Sequence, residues 1–214
     1  MIQKTILFDL DGTLTDSGEG IMNCAALALE HFHIPVPSRE AMRVFVGPPL
    51  TSTFRSFGIP EDQVAEAVKV FRSRYVPVGI YENAPYPGIR ELLQTLSSQG
   101  HKLYVATSKP EEMAITVLRH FDLEQFFSGI CGAAMDESRT NKEEVIAYLL
   151  EKNGTADNML MIGDTVFDVL GAASHGIPAI GVSWGYGDPE EMRKAGAKAI
   201  AEKPEELLAL LEDW

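Results

Sequence analysis

Cysteine is nearly absent from this chain: Cys24 and Cys131 are the two instances in 214 residues. They stand in no CxxC or Cys/His cluster, which excludes a zinc finger or a disulfide-stapled scaffold and predicts two reduced, buried thiols. Positive charge is also scarce, with 18 Lys and Arg against 31 Asp and Glu and a formal net charge of -13. That balance repels polyanions, so no nucleic-acid polymer is expected as a partner. A small phosphorylated metabolite stays compatible, because a metal ion and a few local cations reverse the field inside one pocket. Long hydrophobic runs are missing as well. No stretch reaches membrane-spanning length, and the opening MIQKTILFDLDG meets charge before a signal-peptide core forms. The expectation is a cytoplasmic protein with no membrane partner, a monomer or weak dimer. What the chain does have is an ordinary hydrophobic fraction of 45%, enough for one domain or a core with a small insert.

Four short apolar runs, Thr5 to Phe8, Lys102 to Ala106, Asn158 to Ile162 and Pro178 to Val182, predict buried strands of a parallel sheet. Between them, apolar residues recur at helical spacing. Ile89, Leu92, Leu93 and Leu96 follow a Pro87-Gly88 start. Val145, Ile146, Leu149 and Leu150 close at Asn153-Gly154, and Leu207, Leu208, Leu210 and Leu211 form a last helix. Strands alternating with helices imply an α/β sandwich with right-handed crossovers. From about Asp16 to Tyr81 the rhythm breaks. That stretch has helical patterns and no convincing strand, and it is punctuated by Pro35-Val36-Pro37, Gly47-Pro48-Pro49 and Gly58-Ile59-Pro60 into three or four helices. The expected organisation is a Rossmann-like three-layer α/β core with a parallel sheet, residues 1-15 and 82-214. A small all-helical cap, residues 16-81, is inserted after the first strand.

In an open parallel sheet, ligands bind beyond the carboxyl ends of the strands. Three of the four apolar runs lead there into polar clusters: Asp9-Leu10-Asp11-Gly12-Thr13, Thr107-Ser108-Lys109, and Gly163-Asp164-Thr165-Val166-Phe167-Asp168. Asp9 and Asp11 lie two apart on near-extended chain, so their carboxylates are expected on one side, where they persist together only with a cation or a shared proton. Asp164 adds a third acidic group, giving an oxygen-rich site suited to Mg²⁺. Gly12 permits the tight turn after the pair. Taken singly, several of these residues read blandly. Asp164 and Asp168 suit a helix N-terminus, Thr107 and Ser108 suit N-caps for a helix after Pro110, and Lys142 suits an exposed first turn. Their combination points to a site.

That combination resembles the haloacid dehalogenase-like hydrolase superfamily, in its capped phosphatase branch near phosphoglycolate phosphatases and bacterial 5′-nucleotidases. The resemblance rests on FDLDGTLTDS from Phe8 to Ser17, Thr107 in YVATSK, Lys142 in RTNKEEVI and GDTVFD from Gly163 to Asp168. Tyr86-Pro87-Gly88 and Gly181 to Gly187 extend it to essentially the whole chain. It implies that Asp9 is a nucleophile and magnesium ligand, and that Asp11 is an acid/base whose backbone carbonyl also ligates the metal. Thr107 and Lys142 would hold the phosphoryl group, Asp164 would ligate magnesium, and Asp168 would support the metal shell or Lys142. Gly12, Thr13, Ser108, Gly47 and Leu50 are the expected substrate contacts. The implied activity is magnesium-dependent hydrolysis of a small phosphomonoester, phosphoglycolate- or nucleoside-monophosphate-like, through an aspartyl-phosphate.

The nearest rival is a phosphomutase of the β-phosphoglucomutase kind, which shares the nucleophile, acid and metal. The cap segment Phe45 to Leu50 offers little hydrogen bonding for a second sugar-phosphate end, so hydrolysis is preferred. A non-catalytic phosphate-binding module is more distant, since the catalytic set is complete.

Overall fold

The computed structural model describes residues 3–136, 138–155 and 157–212. The chain opens with β1 (Thr5–Phe8) and a two-residue β2 (Thr15–Asp16), followed by four helices: α1 (Gly18–His31), α2 (Arg39–Met42), α3 (Leu50–Ser56) and α4 (Val64–Tyr75). After β3 (Ala84–Pro85), helices and strands alternate as α5 (Ile89–Ser98), β4 (Lys102–Pro110), α6 (Glu111–His120), β5 (Gly129–Ala133), α7 (Lys142–Asn153) and β6 (Met159–Gly163). The remainder is α8 (Val166–Ala173), β7 (Ala179–Val182), α9 (Pro189–Ala195), β8 (Ala199–Ala201) and α10 (Glu206–Glu212).

β1, β4, β5, β6, β7 and β8 form one parallel sheet in the order β5-β4-β1-β6-β7-β8. Side-chain alternation along β1 shows why the sheet is covered on both faces. Ile6 and Phe8 pack with α5, α6 and α10 residues such as Leu93, Leu118 and Leu207. Leu7 faces the other way, toward Val145 and Ile146 of α7, Val169 of α8 and Met192 of α9. The architecture is the expected three-layer, Rossmann-like α/β fold. The chain winds outward from β1 through β4 to β5, then returns to β6 and continues to β8. The reversal lies beside β1, where such sheets open a crevice at the strand carboxyl ends.

Two strands of this six-stranded sheet carried no signal in the sequence. β5 and β8 are short and built around Gly and Ala (Gly129, Gly132, Ala199, Ala201), so neither produces an apolar run. β4 also runs past Ala106 to Pro110, with its register against β5 shifting between those two residues. This irregularity releases Thr107, Ser108 and Lys109 from the ladder.

The helical segment does not follow β1 directly. β2 leads into it and β3 leads out, and the two pair antiparallel, Thr15 opposite Pro85 and Asp16 opposite Ala84. Its own core is aromatic: Phe45 lies 5.2 Å from Phe54, Phe54 lies 6.4 Å from Phe71, and Phe71 stacks on Tyr75 at 5.1 Å. Each such ring, fully buried, contributes roughly 1.5–3 kcal/mol. Among the described residues, no helix is long and apolar enough to cross a membrane.

Candidate active site

β1 lies between β4 and β6, so the residues after all three strands converge. The Asp9 amide continues the ladder by donating to the Ile162 carbonyl at 2.9 Å. This pins the start of the polar loop, and the Asp9 carboxylate accepts from the Leu10 amide at 2.7 Å. Asp9 is buried, and burial pushes its carboxyl up to about 6, against the pull of Lys142.

Lys142 stands at the first position of α7, where Asn141 and Glu144 form a reciprocal capping box that fixes the helix start. Far from being an exposed first-turn lysine, it is 3% exposed. Its ammonium donates to the Ala106 carbonyl at 2.8 Å and meets Asp9 Oδ1 at 2.8 Å and Asp168 Oδ1 at 2.7 Å as ion pairs. The contact with Asp168 is an ion pair without hydrogen-bond alignment. Burial disfavours the charged amine, but Asp168 and Asp9 outweigh it and hold its pKa above the ordinary lysine range.

Asp168 is the third residue of α8 and closes a second capping box, with Oδ2 accepting from the Thr165 amide and hydroxyl at 3.0 and 2.8 Å. Asp164, just past the end of β6, is fully buried. Its Oδ2 accepts from the Tyr186 amide at 2.8 Å and its Oδ1 accepts from the Thr13 hydroxyl at 3.2 Å. Burial raises its pKa well above the carboxylate range, and the neighbouring Asp168 and Asp9 raise it further.

The carboxylates that gather are Asp9, Asp164 and Asp168, with oxygens within 4.8 Å of one another. Asp11, expected to aim its carboxylate into the same cluster, turns away instead. Both of its oxygens face the Lys109 ammonium, at 2.8 and 2.7 Å, and each side chain is buried. Among the described residues, Lys142 is the one cation that touches the cluster, through Asp9 and Asp168. Three carboxylates with one ammonium leave the cluster anionic and dry, a state that a hard divalent cation with oxygen ligands relieves. The donor set therefore fits a metal.

Gly12 and Thr13, expected at the substrate, lie against Asp164. A Cβ on Gly12, whose φ is +86°, would fall 2.2 Å from Asp164 Oδ2. Thr107 is buried and accepts from the Lys109 amide at 3.2 Å, while α6 begins after Pro110 with no side-chain cap, so neither Thr107 nor Ser108 serves as an N-cap. Ser108, Gly47 and Leu50 line a cavity of about 110 Å³ together with Asp11, Lys109, Phe71 and Tyr75. This cavity joins the helical segment to the strand ends. Arg43, from the turn Arg43–Phe45, makes a second junction by donating to the Gly185 carbonyl at 3.0 Å and lying 4.7 Å from the Tyr186 ring centroid.

Lys109, Tyr186 and Arg43 did not emerge as site residues from the sequence. For Lys109 a signal existed: a lysine two residues past Thr107, at the end of an apolar strand, sits where a nearby carboxylate is needed to bury it.

A family model described as haloacid dehalogenase-like hydrolase matches residues 6–182. The chain belongs to the haloacid dehalogenase-like hydrolases. Among these, it is 45% identical over 190 residues to a 5′-nucleotidase of Pseudomonas aeruginosa, covering 88% of this chain and 86% of that one. It is 41% identical over 198 residues to the tyrosine-protein kinase PtkA of Mycobacterium tuberculosis, covering 92% of this chain and 68% of that one. The crystal structure of a predicted phosphatase from Clostridium acetobutylicum superposes with a TM-score of 0.96 at 38% identity, covering 100% of both chains. Within the haloacid dehalogenase-like hydrolases this chain is a phosphatase.

Proposed function

We propose that this phosphatase hydrolyses small phosphomonoesters with magnesium as cofactor, using Asp9 as the nucleophile. The observation that carries the reading is the Asp9 carboxylate held 2.8 Å from a buried lysine inside the Asp9–Asp164–Asp168 cluster. A nucleophile that attacks phosphorus needs fixed orientation and nearby positive charge to receive a dianion. Lys142 supplies both. Asp9 would take the phosphoryl group as an aspartyl-phosphate, and a water would then release it as phosphate.

Asp11, carrying a proton when the substrate is bound, gives it to the departing alkoxide and regains one from that water. Its side chain lines the cavity, so the leaving group would lie there, with Lys109 holding the carboxylate in place. The Thr107 hydroxyl stands at the same strand ends to bond a phosphoryl oxygen. Asp9, Asp164 and Asp168, with the backbone carbonyl of Asp11, would hold the magnesium, which supplies charge neutralisation when bound. Residues 1-15 and 82-214 serve as the catalytic core and residues 16-81 as a cap that excludes water. The two buried free thiols suit a reducing, cytoplasmic setting.

Purified protein should release p-nitrophenol from p-nitrophenyl phosphate only with magnesium, and Asp9→Asn should be inactive while keeping the wild-type melting profile. Full activity in excess chelator, or an active Asp9→Asn, would overturn the reading.

The likeness to a tyrosine-protein kinase favours a second reading, in which the phosphoryl group passes to a hydroxyl acceptor instead of water. Incubation with labelled ATP distinguishes the two. Label appearing in protein tyrosine, with no phosphate released from small esters, would favour transfer.

A further inference from the structure

The cavity over Asp11 contains one charge that no described residue answers. Its charged lining residues are Asp11, Lys109 and Arg72, and the first two neutralise each other. Arg72 comes from α4 and is half-buried, and among the described residues it makes no hydrogen bond, ion pair or ring contact through its side chain. Its neighbour on the helix shows the contrast: Arg74 reaches both oxygens of Glu82 at 2.7 Å. Arg72 thus stands at the wall of a largely apolar cavity with no described anion paired to it, and a ligand anion there would gain charge-assisted bonds.

The rest of the lining is largely apolar. Phe45, Leu50, Val68, Phe71, Tyr75 and Met113 form the wall. The volume of about 110 Å³ approaches that of cavities that admit a benzene ring, roughly 150 Å³. Such a space holds one ring or a branched aliphatic body, with few hydrogen bonds offered to a polyhydroxylated one.

We infer that Arg72 is a specificity-determining residue that binds a second anionic group on the leaving alcohol. The preferred substrates are then phosphomonoesters of compact, apolar or aromatic alcohols that also carry a carboxylate. The inference rests on the proposed function, since Asp11 as the leaving-group acid is what makes this cavity the leaving-group site.

The test uses two esters of equal shape, 4-(carboxymethyl)phenyl phosphate and its neutral carboxamide, whose leaving groups differ little in basicity. Wild-type enzyme should prefer the carboxylate by about tenfold or more in kcat/KM, chiefly through KM, as expected for one charge-assisted contact. Arg72→Gln should bring the ratio to about one, and Arg72→Lys should retain part of it. Because the readout is a ratio within one protein, loss of folded enzyme does not change it. A wild-type ratio near one, or a preference that survives Arg72→Gln, overturns the inference. If p-nitrophenyl phosphate is hydrolysed while neither ester is, this inference fails alone. If p-nitrophenyl phosphate is also untouched, the proposed function beneath it fails.

Discussion

Lys109 closes over Asp11 as a buried two-point ion pair, its ammonium 2.8 and 2.7 Å from the two carboxylate oxygens. Tyr75 seats the pair from the helical segment, with its ring centroid 5.0 Å from the ammonium. Removing one partner strands the other charge in a dry site, which costs about 3–5 kcal/mol. Lys109→Met and Asp11→Asn should each lower the unfolding free energy extrapolated from urea melts by an amount in that range. The double variant should recover a large part of the loss, because neither charge is then left alone. Simple addition of the two losses in urea melts would show that the pair is not an energetic unit.

Arg43 ties the helical segment to the loop that holds Asp164. It donates to the Gly185 carbonyl at 3.0 Å and covers Tyr186, whose own amide holds Asp164 Oδ2 at 2.8 Å and whose hydroxyl bonds Asp16. One such hydrogen bond and an exposed cation–π contact are worth about 1 kcal/mol each. Arg43→Ala should therefore raise the magnesium concentration for half-maximal activity by about fivefold or more. Lysine should not rescue it, since an ammonium lacks the flat face that stacks while donating sideways. A magnesium titration identical to wild type would dismiss the connection.

The parts legible in the sequence were those with a one-dimensional signature. β1 shows as Ile6-Leu7-Phe8 because a strand covered on both faces is continuously apolar, and Asp9 stands out because a carboxylate there abuts buried chain. β5 and β8 were hidden because small residues fill strands where neighbouring chain presses close; a Cβ on Gly132 would fall 2.5 Å from the Lys109 carbonyl. The carboxylate cluster was misassembled for a related reason. Period-two alternation places Asp9 and Asp11 together, but the tight turn at Gly12 and the Thr15 bridge bend the chain, and Lys109 claims Asp11. Asp168 then takes the third place from the first turn of α8, through a capping box whose residues otherwise read as ordinary helix-start chemistry.

Gly12→Ala should be severely damaging in spite of its small size. At φ +86° a side chain is strained by about 1–2 kcal/mol, and its Cβ would sit 2.2 Å from Asp164 Oδ2. The aspartate must move, and the Thr13 contact at 3.2 Å moves with it. The expected result is a drop of several degrees in Tm together with a loss of activity that excess magnesium restores only in part. Wild-type magnesium dependence in the Gly12→Ala enzyme would mean that Asp164 is not held by this turn.

The metal proposal makes a stability prediction that needs no turnover. In metal-free protein Asp164 is fully buried beside Asp9 and Asp168, and the repulsion has one ammonium to offset it. Asp164→Asn keeps the shape and removes a charge. The amide oxygen still accepts from the Tyr186 amide, and the Thr13 hydroxyl reverses to accept from the new NH₂ group. Metal-free Asp164→Asn should therefore melt at or above the wild-type temperature. Magnesium should reverse the order: a ligand bound only by the native state adds RT ln(1 + [L]/Kd), about 2.7 kcal/mol at one hundred times Kd. Wild-type protein should gain that stabilisation and Asp164→Asn should gain little. Thermal melts of both proteins across a magnesium series check this directly. A wild-type Tm indifferent to magnesium would remove the metal from the cluster. A metal-free variant several degrees less stable than wild type would show that the Asp164 carboxylate is held there by structure alone.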